Sequence, residues 1–409
     1  MGNTSVASLE QHLTVLDESI RLCDHGTAQG KYNALLKFVQ DLSPEDRENL
    51  ANVLPNWNNE RRTQLKLRWE ALDGHRGSWD KWSQMLRRSA HGFSADGPEW
   101  EKLRQGARDL VYRASPEGHR RELWLFCCRH SPVEDLAFTK TTEELFAEGV
   151  DHNEVEQMWL DVRRAPGVTP ERQVSLVRIL RVHCARVRQR QESLGCNSNG
   201  MEYVQGMHML AACPLWAGLS ESEASCVLEF TFDHLCGVYY TDPSFAAFGR
   251  DVQVVDGLLA ERLPHVSAVL KAVGMPVQVL TFDPLLCLFT LHAHGSKAMR
   301  LWDVLLAEQS DAAVFALTVL LLKRALPEEL LSGKDKDPEE LLSGIGSRIK
   351  ALSEWDIQEI VSEARPLLDE RDFAGRVAEL RSQALERRPG WWDQPLAQLS
   401  AWWSGAAEM

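Results

Sequence analysis

The sequence lacks the motifs with which a protein binds a nucleotide or a catalytic metal by itself. There is no G-x-x-x-x-G-K-S/T phosphate loop, because Gly333 and Lys334 are followed by Asp335. There is also no G-x-S-x-G elbow and no H-E-x-x-H helix. His292 and His294 have no cysteine or carboxylate at metal-ligand spacing. We therefore expect no cofactor, no metal site, and no nucleotide bound by this chain alone.

Long apolar runs, cysteine pairs and excess positive charge are missing as well. The longest apolar run, Ala312 to Leu322 with Thr318 inside it, is far shorter than the roughly 20 residues that a membrane helix needs. Nine cysteines occur without a C-x-x-C pair, and no secretory signal is visible, which favours reduced cytosolic thiols. A net charge of −14 disfavours nucleic acid as a partner. We expect a cytoplasmic protein, at most peripheral on endomembranes.

What the sequence does contain is a series of helical patterns. Hydrophobic residues make up 44% of the chain and charged residues 25%, which is ordinary for a globular protein with a large core. Thr169-Pro170 is a helix-start signal, and Val177, Leu180 and Cys184 follow at helical spacing. Because most of the chain has this character, we predict an all-α fold.

Changes in composition suggest three regions. A loose connector from Ala90 to Pro98 separates a helical N-terminal extension, residues 1–100, from a region of apolar helices at residues 105–325. Residues 326–409 then begin with a short duplication and a charged linker and continue as a helical C-terminal tail. Near the end stand two tryptophan pairs, at 391–392 and 402–403, which fit either a membrane interface or a protein surface.

The first stretch whose residue types suit catalysis contains Asp161 and Arg164. Their spacing of three residues places both on one helix face, and Pro166-Gly167 is expected to end that helix. A guanidinium is always charged and presents a rigid fork. It therefore suits the negative charge that develops on a transferring phosphoryl group. Taken alone, however, the pair is better explained as an ordinary surface ion pair.

The second stretch is Tyr203-Val204-Gln205-Gly206. An amide both donates and accepts hydrogen bonds, so Gln205 can position a water molecule. Gly206 has no side chain to obstruct a partner that approaches the backbone. Taken alone, this stretch is equally a loop with a packed aromatic ring and a solvated amide.

Residues of about 105 to 325 resemble the TBC domain, the GTPase-activating domain for Rab-type small GTPases. Two motifs of that family, I-x-x-D-x-x-R and Y-x-Q-G, occur here in the family's order. They are matched by Met158, Asp161 and Arg164, and then by Tyr203, Gln205 and Gly206. Looser matches are Ala114-Ser115-Pro116 with Arg120 and Trp124, Leu263-Pro264, and Leu301-Trp302-Asp303. Departures from the family pattern are Ala114-Ser115 in place of Gly-Ile, Ala165 in place of threonine, and Asp283-Pro284 near a common tryptophan position.

The resemblance implies an all-helical domain that accelerates GTP hydrolysis by a bound Rab-type small GTPase. It assigns the arginine finger to Arg164 and the glutamine finger to Gln205. It assigns Asp161 to hold the arginine and Tyr203 to support the glutamine. The partner would supply Mg²⁺ and GTP. Trp124 and its neighbour Arg120 are expected to be structural.

Other interpretations stay open at this point. The chain could be a non-catalytic TBC-like module that binds a small GTPase or acts as a trafficking scaffold. It could also be a helical adaptor in which the motif matches are accidental. The arginines between residues 172 and 190 fit a solvated helix face, or a basic surface that steers an acidic GTPase.

Overall fold

The computed structural model describes residues 77–87, 97–147, 152–193, 203–241, 245–293, 295–326, 338–370 and 372–386. Within these ranges the regular structure is helical and no strand occurs, which confirms the predicted all-α fold. Most of the N-terminal extension, the first copy of the duplication and both tryptophan pairs lie outside the described residues. None of the helices in these ranges has the length and apolar character to cross a bilayer.

Seventeen α-helices and one π-helical segment, Phe232–Cys236, make up the regular structure of the described ranges. In chain order the α-helices are α1 (77–87), α2 (Pro98–Arg113), α3 (Arg120–Cys127), α4 (Pro132–Ala147), α5 (His152–Val162), α6 (Pro170–Ser193), α7 (Met207–Trp216), α8 (Glu221–Thr231), α9 (Val238–Thr241), α10 (Ala246–Arg262), α11 (Pro264–Ala272), α12 (Val277–Leu286), α13 (Ser296–Glu308), α14 (Asp311–Ala325), α15 (Pro338–Ala351), α16 (Glu354–Asp369) and α17 (Phe373–Glu386).

The chain divides into two compact units, and the first contains residues 1–123 with 353–362. Its described part is organised around two buried tryptophans of α1, Trp79 and Trp82, whose rings meet edge to face at 5.5 Å. The Trp82 indole nitrogen donates to the backbone oxygen of Leu103 on α2 at 3.0 Å. This bond satisfies the polar end of a large apolar side chain, which is how tryptophan is usually buried.

The second unit contains residues 124–352 with 363–409. Two fully buried tryptophans, Trp124 and Trp302, lie side by side in its core with ring centroids 5.8 Å apart. Trp124 Nε1 donates to Asp303 Oδ1 at 2.9 Å, and Trp302 Nε1 donates to the Leu288 carbonyl at 2.9 Å. Trp124 therefore contacts both Trp302 and Asp303 of the last looser family motif, and Trp124 is structural as expected.

Helix α6 carries arginines that bind to the neighbouring helices. Arg178 lies 3.1 Å from Glu221 on α8, and Arg190 lies 2.7 Å from Glu229 on the same helix. Arg181 is buried and donates to the Leu145 carbonyl of α4 at 3.4 Å. Part of the positive charge of α6 is thus used within the fold, and the steering of an acidic partner by this helix stays a prediction.

The last described helix, α17, packs against α10 within the second unit. Arg381 of α17 forms two hydrogen bonds, of 2.7 and 2.9 Å, with the buried carboxylate of Asp251. Leu380 lies directly over Gly257, where a Cβ atom would approach its side chain to 2.8 Å. The C-terminal tail therefore contributes to the core of the second unit. The domain boundaries near residues 100 and 325 stay predictions.

Candidate functional site

Arg164 lies in a turn rather than in a helix. Helix α5 ends at Val162, and the Arg164 amide donates to the Asp161 carbonyl at 3.0 Å. The prediction that Pro166-Gly167 ends this helix is therefore wrong, because bonds to the third residue back replace the helical pattern from the Arg164 amide onward. The Arg164 side chain is exposed, and it forms no hydrogen bond or ion pair with any residue that the structure describes.

The turn after Arg164 rests against the end of α7. Gly167 has φ +67°, a conformation in which a side chain is strained, so glycine has a backbone reason to stand here. A Cβ atom at this position would lie 3.7 Å from Trp216 Nε1. That nitrogen is buried and has no hydrogen-bond partner among the described residues. The segment that carries Arg164 is thus in contact with the helix that follows Gln205.

The Asp161 carboxylate is buried and is used by residues other than Arg164. Its Oδ2 atom accepts the Tyr203 hydroxyl at 3.0 Å and the Gln157 amide at 3.3 Å. No ion pair joins Asp161 to Arg164 in the described structure, so the expected i, i+3 pair on one helix face does not form. The chain turns out of the helix between the two residues, which removes the geometry that the spacing predicted.

Gln205 and Gly206 form the turn that begins α7. Gly206 is buried and adopts φ 107° and ψ −31°, a region of backbone conformation that is open mainly to glycine. The Met207 amide donates to the Val204 carbonyl at 3.2 Å, which closes the turn. Gln205 is half-buried, and its amide has no hydrogen bond with a described residue. The amide is therefore available to a partner or to water.

Tyr203 joins the two stretches. Its hydroxyl connects the end of α5, through Asp161, to the segment that leads into Gln205. Burial, and then the Asp161 carboxylate, raise the pKa of the Tyr203 hydroxyl above its ordinary value. The group stays protonated and remains a hydrogen-bond donor. Of the predicted site residues, the structure thus brings Asp161 and Tyr203 into direct contact and places Arg164 and Gln205 in the adjoining turns.

His208 completes this arrangement and was not anticipated from the sequence. Its Nδ1 atom lies 3.0 Å from the Tyr203 hydroxyl oxygen, and its side chain is 4% exposed. Burial lowers the pKa of His208 to about 4, with the nearby Arg164 charge acting in the same direction and Asp161 opposing it. A histidine two residues after Gly206 gives no sequence signal of burial, because that depends on which helices cover the first turn of α7.

The donor set of this site does not resemble a metal centre. Within the described ranges, no three His, Cys, Asp or Glu side chains are grouped as ligands. What the site offers is the exposed Arg164 guanidinium, the Gln205 amide, and a buried network of hydrogen bonds next to both. Such a site can present polar groups to a ligand that is brought by another molecule.

Comparison with known proteins identifies this helical unit as a domain of a known class. The sequence profile of the Rab-GTPase-TBC domain matches residues 117–331, which is more than half of the 409 residues, and the chain belongs to this family. The fold agrees with solved structures of that class. The Chlamydomonas flagellar RabGAP TBC domain superposes with a TM-score of 0.51 at 16% identity, covering 72% of this chain and 96% of that one. The Ypt/Rab-GAP domain of Gyp1p gives 0.53 at 17% identity, covering 64% and 92%.

Two curated relatives match this chain in sequence over only part of their length. Human growth hormone-regulated TBC protein 1 is 26% identical over 130 residues, which are 32% of this chain and 38% of that protein. Rat TBC1 domain family member 2A is 24% identical over 222 residues, 53% of this chain and 23% of that protein. The matched part of this chain therefore spans less than half the length of each of these two curated relatives.

Proposed function

We propose that this protein is a GTPase-activating protein that accelerates GTP hydrolysis on a Rab-type small GTPase. In this proposal Arg164 supplies a positive charge to the transferring phosphoryl group, and Gln205 positions the attacking water. The partner GTPase holds GTP and Mg²⁺. The observation that carries the proposal is the Tyr203–Asp161 hydrogen bond of 3.0 Å, because it ties together the two segments that bear these side chains.

The surface around the arginine supports this function. Arg164 is exposed and uncommitted among the described residues, as a side chain that must reach into another protein has to be. Leu160, on the last turn of α5 and four residues before Arg164 in the sequence, is 44% exposed and offers an apolar surface. A side chain that served only the stability of this chain would be expected to have a partner within it.

Hydrolysis of GTP under single-turnover conditions tests the proposal. A panel of purified GTP-loaded Rab-type GTPases would be combined with wild-type protein, Arg164→Ala and Gln205→Ala. Because an arginine supplied in trans contributes about 10³ to 10⁵ in rate, Arg164→Ala should remove nearly all acceleration. Gln205→Ala should lower the rate of hydrolysis more than it lowers binding, since its role is to position water.

Exposed residues of the same types provide matched controls. Arg163 is the exposed neighbour of Arg164, and Gln189 is an exposed glutamine of α6. Arg163→Ala and Gln189→Ala should leave acceleration within about twofold of wild type, since neither residue is assigned to the chemistry. Equal losses in Arg163→Ala and Arg164→Ala would contradict a specific finger. Binding of a GTPase by the wild type without acceleration would favour the alternative, a non-catalytic GTPase-binding module.

A further inference from the structure

The hydrogen bonds around Tyr203 have a definite direction. A carboxylate oxygen accepts and does not donate, so the single Tyr203 hydroxyl proton is directed to Asp161 Oδ2 at 3.0 Å. The hydroxyl oxygen then has only lone pairs left for His208 Nδ1, which is also 3.0 Å away. His208 Nδ1 therefore carries a proton and donates it. The chain of donation runs from His208 through Tyr203 to Asp161.

This series of hydrogen bonds encloses the turn that carries Gln205. His208 and Tyr203 are on opposite sides of Gln205 and Gly206 in the sequence, so their hydrogen bond closes a short loop around both. The second bond, from Tyr203 to Asp161, fixes the same loop to the end of α5, three residues before Arg164. If His208 did not donate, the Tyr203 hydroxyl would be held by Asp161 alone, and its direction would be less closely fixed.

The two residues at the ends of this series of hydrogen bonds, His208 and Asp161, are shielded from water. Asp161 is 1% exposed and His208 is 4% exposed. A bulk water molecule therefore has little access to replace a missing donor, and losing the His208 bond would leave the Tyr203 hydroxyl with Asp161 as its one remaining partner among the described residues. The Arg164 guanidinium lies close enough to affect the His208 ring electrostatically. The network and the arginine-bearing turn are thus neighbours in space as well as in sequence.

We propose that His208 is a positioning residue, which holds Gln205 in a fixed relation to Arg164 by orienting the Tyr203 hydroxyl toward Asp161. This inference rests on the proposed function, because it gives His208 a role in delivering two side chains to a bound GTPase. His208 is too buried to contact the nucleotide itself. Since burial lowers the pKa of His208 to about 4, the ring is neutral at pH 7 and adds no second charge beside Arg164.

Two substitutions of His208 separate positioning from packing. His208→Asn retains a donor, because the asparagine amide nitrogen stands as many bonds from the backbone as the histidine Nδ1 atom. His208→Leu fills the buried space without a donor. We expect His208→Leu to lower the maximal rate of stimulated GTP hydrolysis about tenfold, the effect of one lost buried hydrogen bond, while KM for the GTP-loaded GTPase stays within about twofold. His208→Asn should restore the rate to within about twofold of wild type.

The same assay includes a test of the pathway through Tyr203. Tyr203→Phe should lower the maximal rate by a similar factor, and adding His208→Leu to Tyr203→Phe should cause little further loss, because both act through one hydroxyl. A wild-type rate in His208→Leu would overturn the proposal. A rise in KM of His208→Leu by the same factor as the fall in its rate would also overturn it. The same holds if His208→Asn has the melting temperature of wild type but does not restore the rate.

Nuclear magnetic resonance of the full chain labelled with ¹⁵N-histidine gives a result that does not depend on any GTPase. The His208 signals, identified by their absence in His208→Asn, should show a neutral ring protonated at Nδ1 at pH 7 and should shift in Tyr203→Phe. Protonation at Nε2 alone would refute the network even if the protein activates a GTPase. If no GTPase is accelerated but the Nδ1 proton is present, the proposed function fails and the positioning role fails with it, while the network itself stands.

Discussion

Acidification should destabilise this protein through the buried His208 ring. In the unfolded chain His208 takes up a proton near its ordinary pKa of 6.5, whereas in the folded protein burial keeps the pKa at about 4. Between these values the unfolded state binds more protons, so the free energy of unfolding falls as the pH is lowered. The stabilisation is complete above pH 6.5 and is lost progressively down to about pH 4. At pH 5 the loss amounts to about 2 kcal/mol.

This magnitude is measurable as a change in melting temperature. A loss of about 2 kcal/mol lowers the Tm of a unit of this size by roughly 4 to 8 °C. Acid acts on other buried groups too, among them Glu229: burial raises its pKa, but the His183 hydrogen bond and the Arg190 charge outweigh burial and hold that pKa below its ordinary value. The proper comparison is therefore with His208→Asn, which removes the titrating ring and keeps a donor at the same position.

The assay is thermal unfolding at pH 7.5, 6.5, 5.5 and 5.0, with tryptophan fluorescence as the readout. The wild-type Tm should fall more steeply with decreasing pH than the Tm of His208→Asn, and the two curves should diverge by several degrees at pH 5. Asp161 and Arg164 are the charged groups next to the ring, and both are retained in the variant. Parallel curves for the two proteins would refute the assignment of a buried, neutral His208.

Two further substitutions address the turn before α7 and the core of the second unit. Gly206→Ala should cost about 1 to 3 kcal/mol of stability, because φ 107° is strained for alanine, and it should also lower stimulated hydrolysis by displacing Gln205. Melting temperature and hydrolysis rate are measured on one preparation, and unchanged values of both would contradict this prediction. Trp124→Phe should lower stability by about 1 to 3 kcal/mol, because the buried Asp303 carboxylate loses a donor at 2.9 Å. A Tm within about 1 °C of wild type would show that this hydrogen bond is dispensable.

The helical character of the chain could be predicted from local patterns, whereas the ends of helices near the site could not. Thr169-Pro170 correctly indicated the start of α6 at Pro170. The end of α5 was misplaced, because Pro166-Gly167 is a visible stop signal while the bond from the Arg164 amide to the Asp161 carbonyl is not. A change from helical to turn bonding depends on what the chain packs against next, and here Gly167 meets Trp216.

The candidate site shows the same division between pattern and context. The order of two short motifs was sufficient to select Asp161, Arg164, Tyr203 and Gln205, and their roles in catalysis stay predictions. The hydrogen bond from Tyr203 to Asp161 joins residues 42 positions apart, so no local pattern could indicate it. No sequence pattern indicates His208, because its importance comes from burial and from its proximity to the Tyr203 hydroxyl. Both are properties of the folded unit.

The contact between α17 and α10 has a practical consequence for any shortened version of this protein. A fragment that ended at residue 331, where the family match ends, would keep the whole candidate site but would lose α17. Asp251, which is 1% exposed, would then lose the Arg381 guanidinium, and Gly257 would lose the cover of Leu380. Breaking one side of such a buried ion pair is strongly destabilising. The length of chain that folds well is therefore greater than the length that sequence similarity marks out.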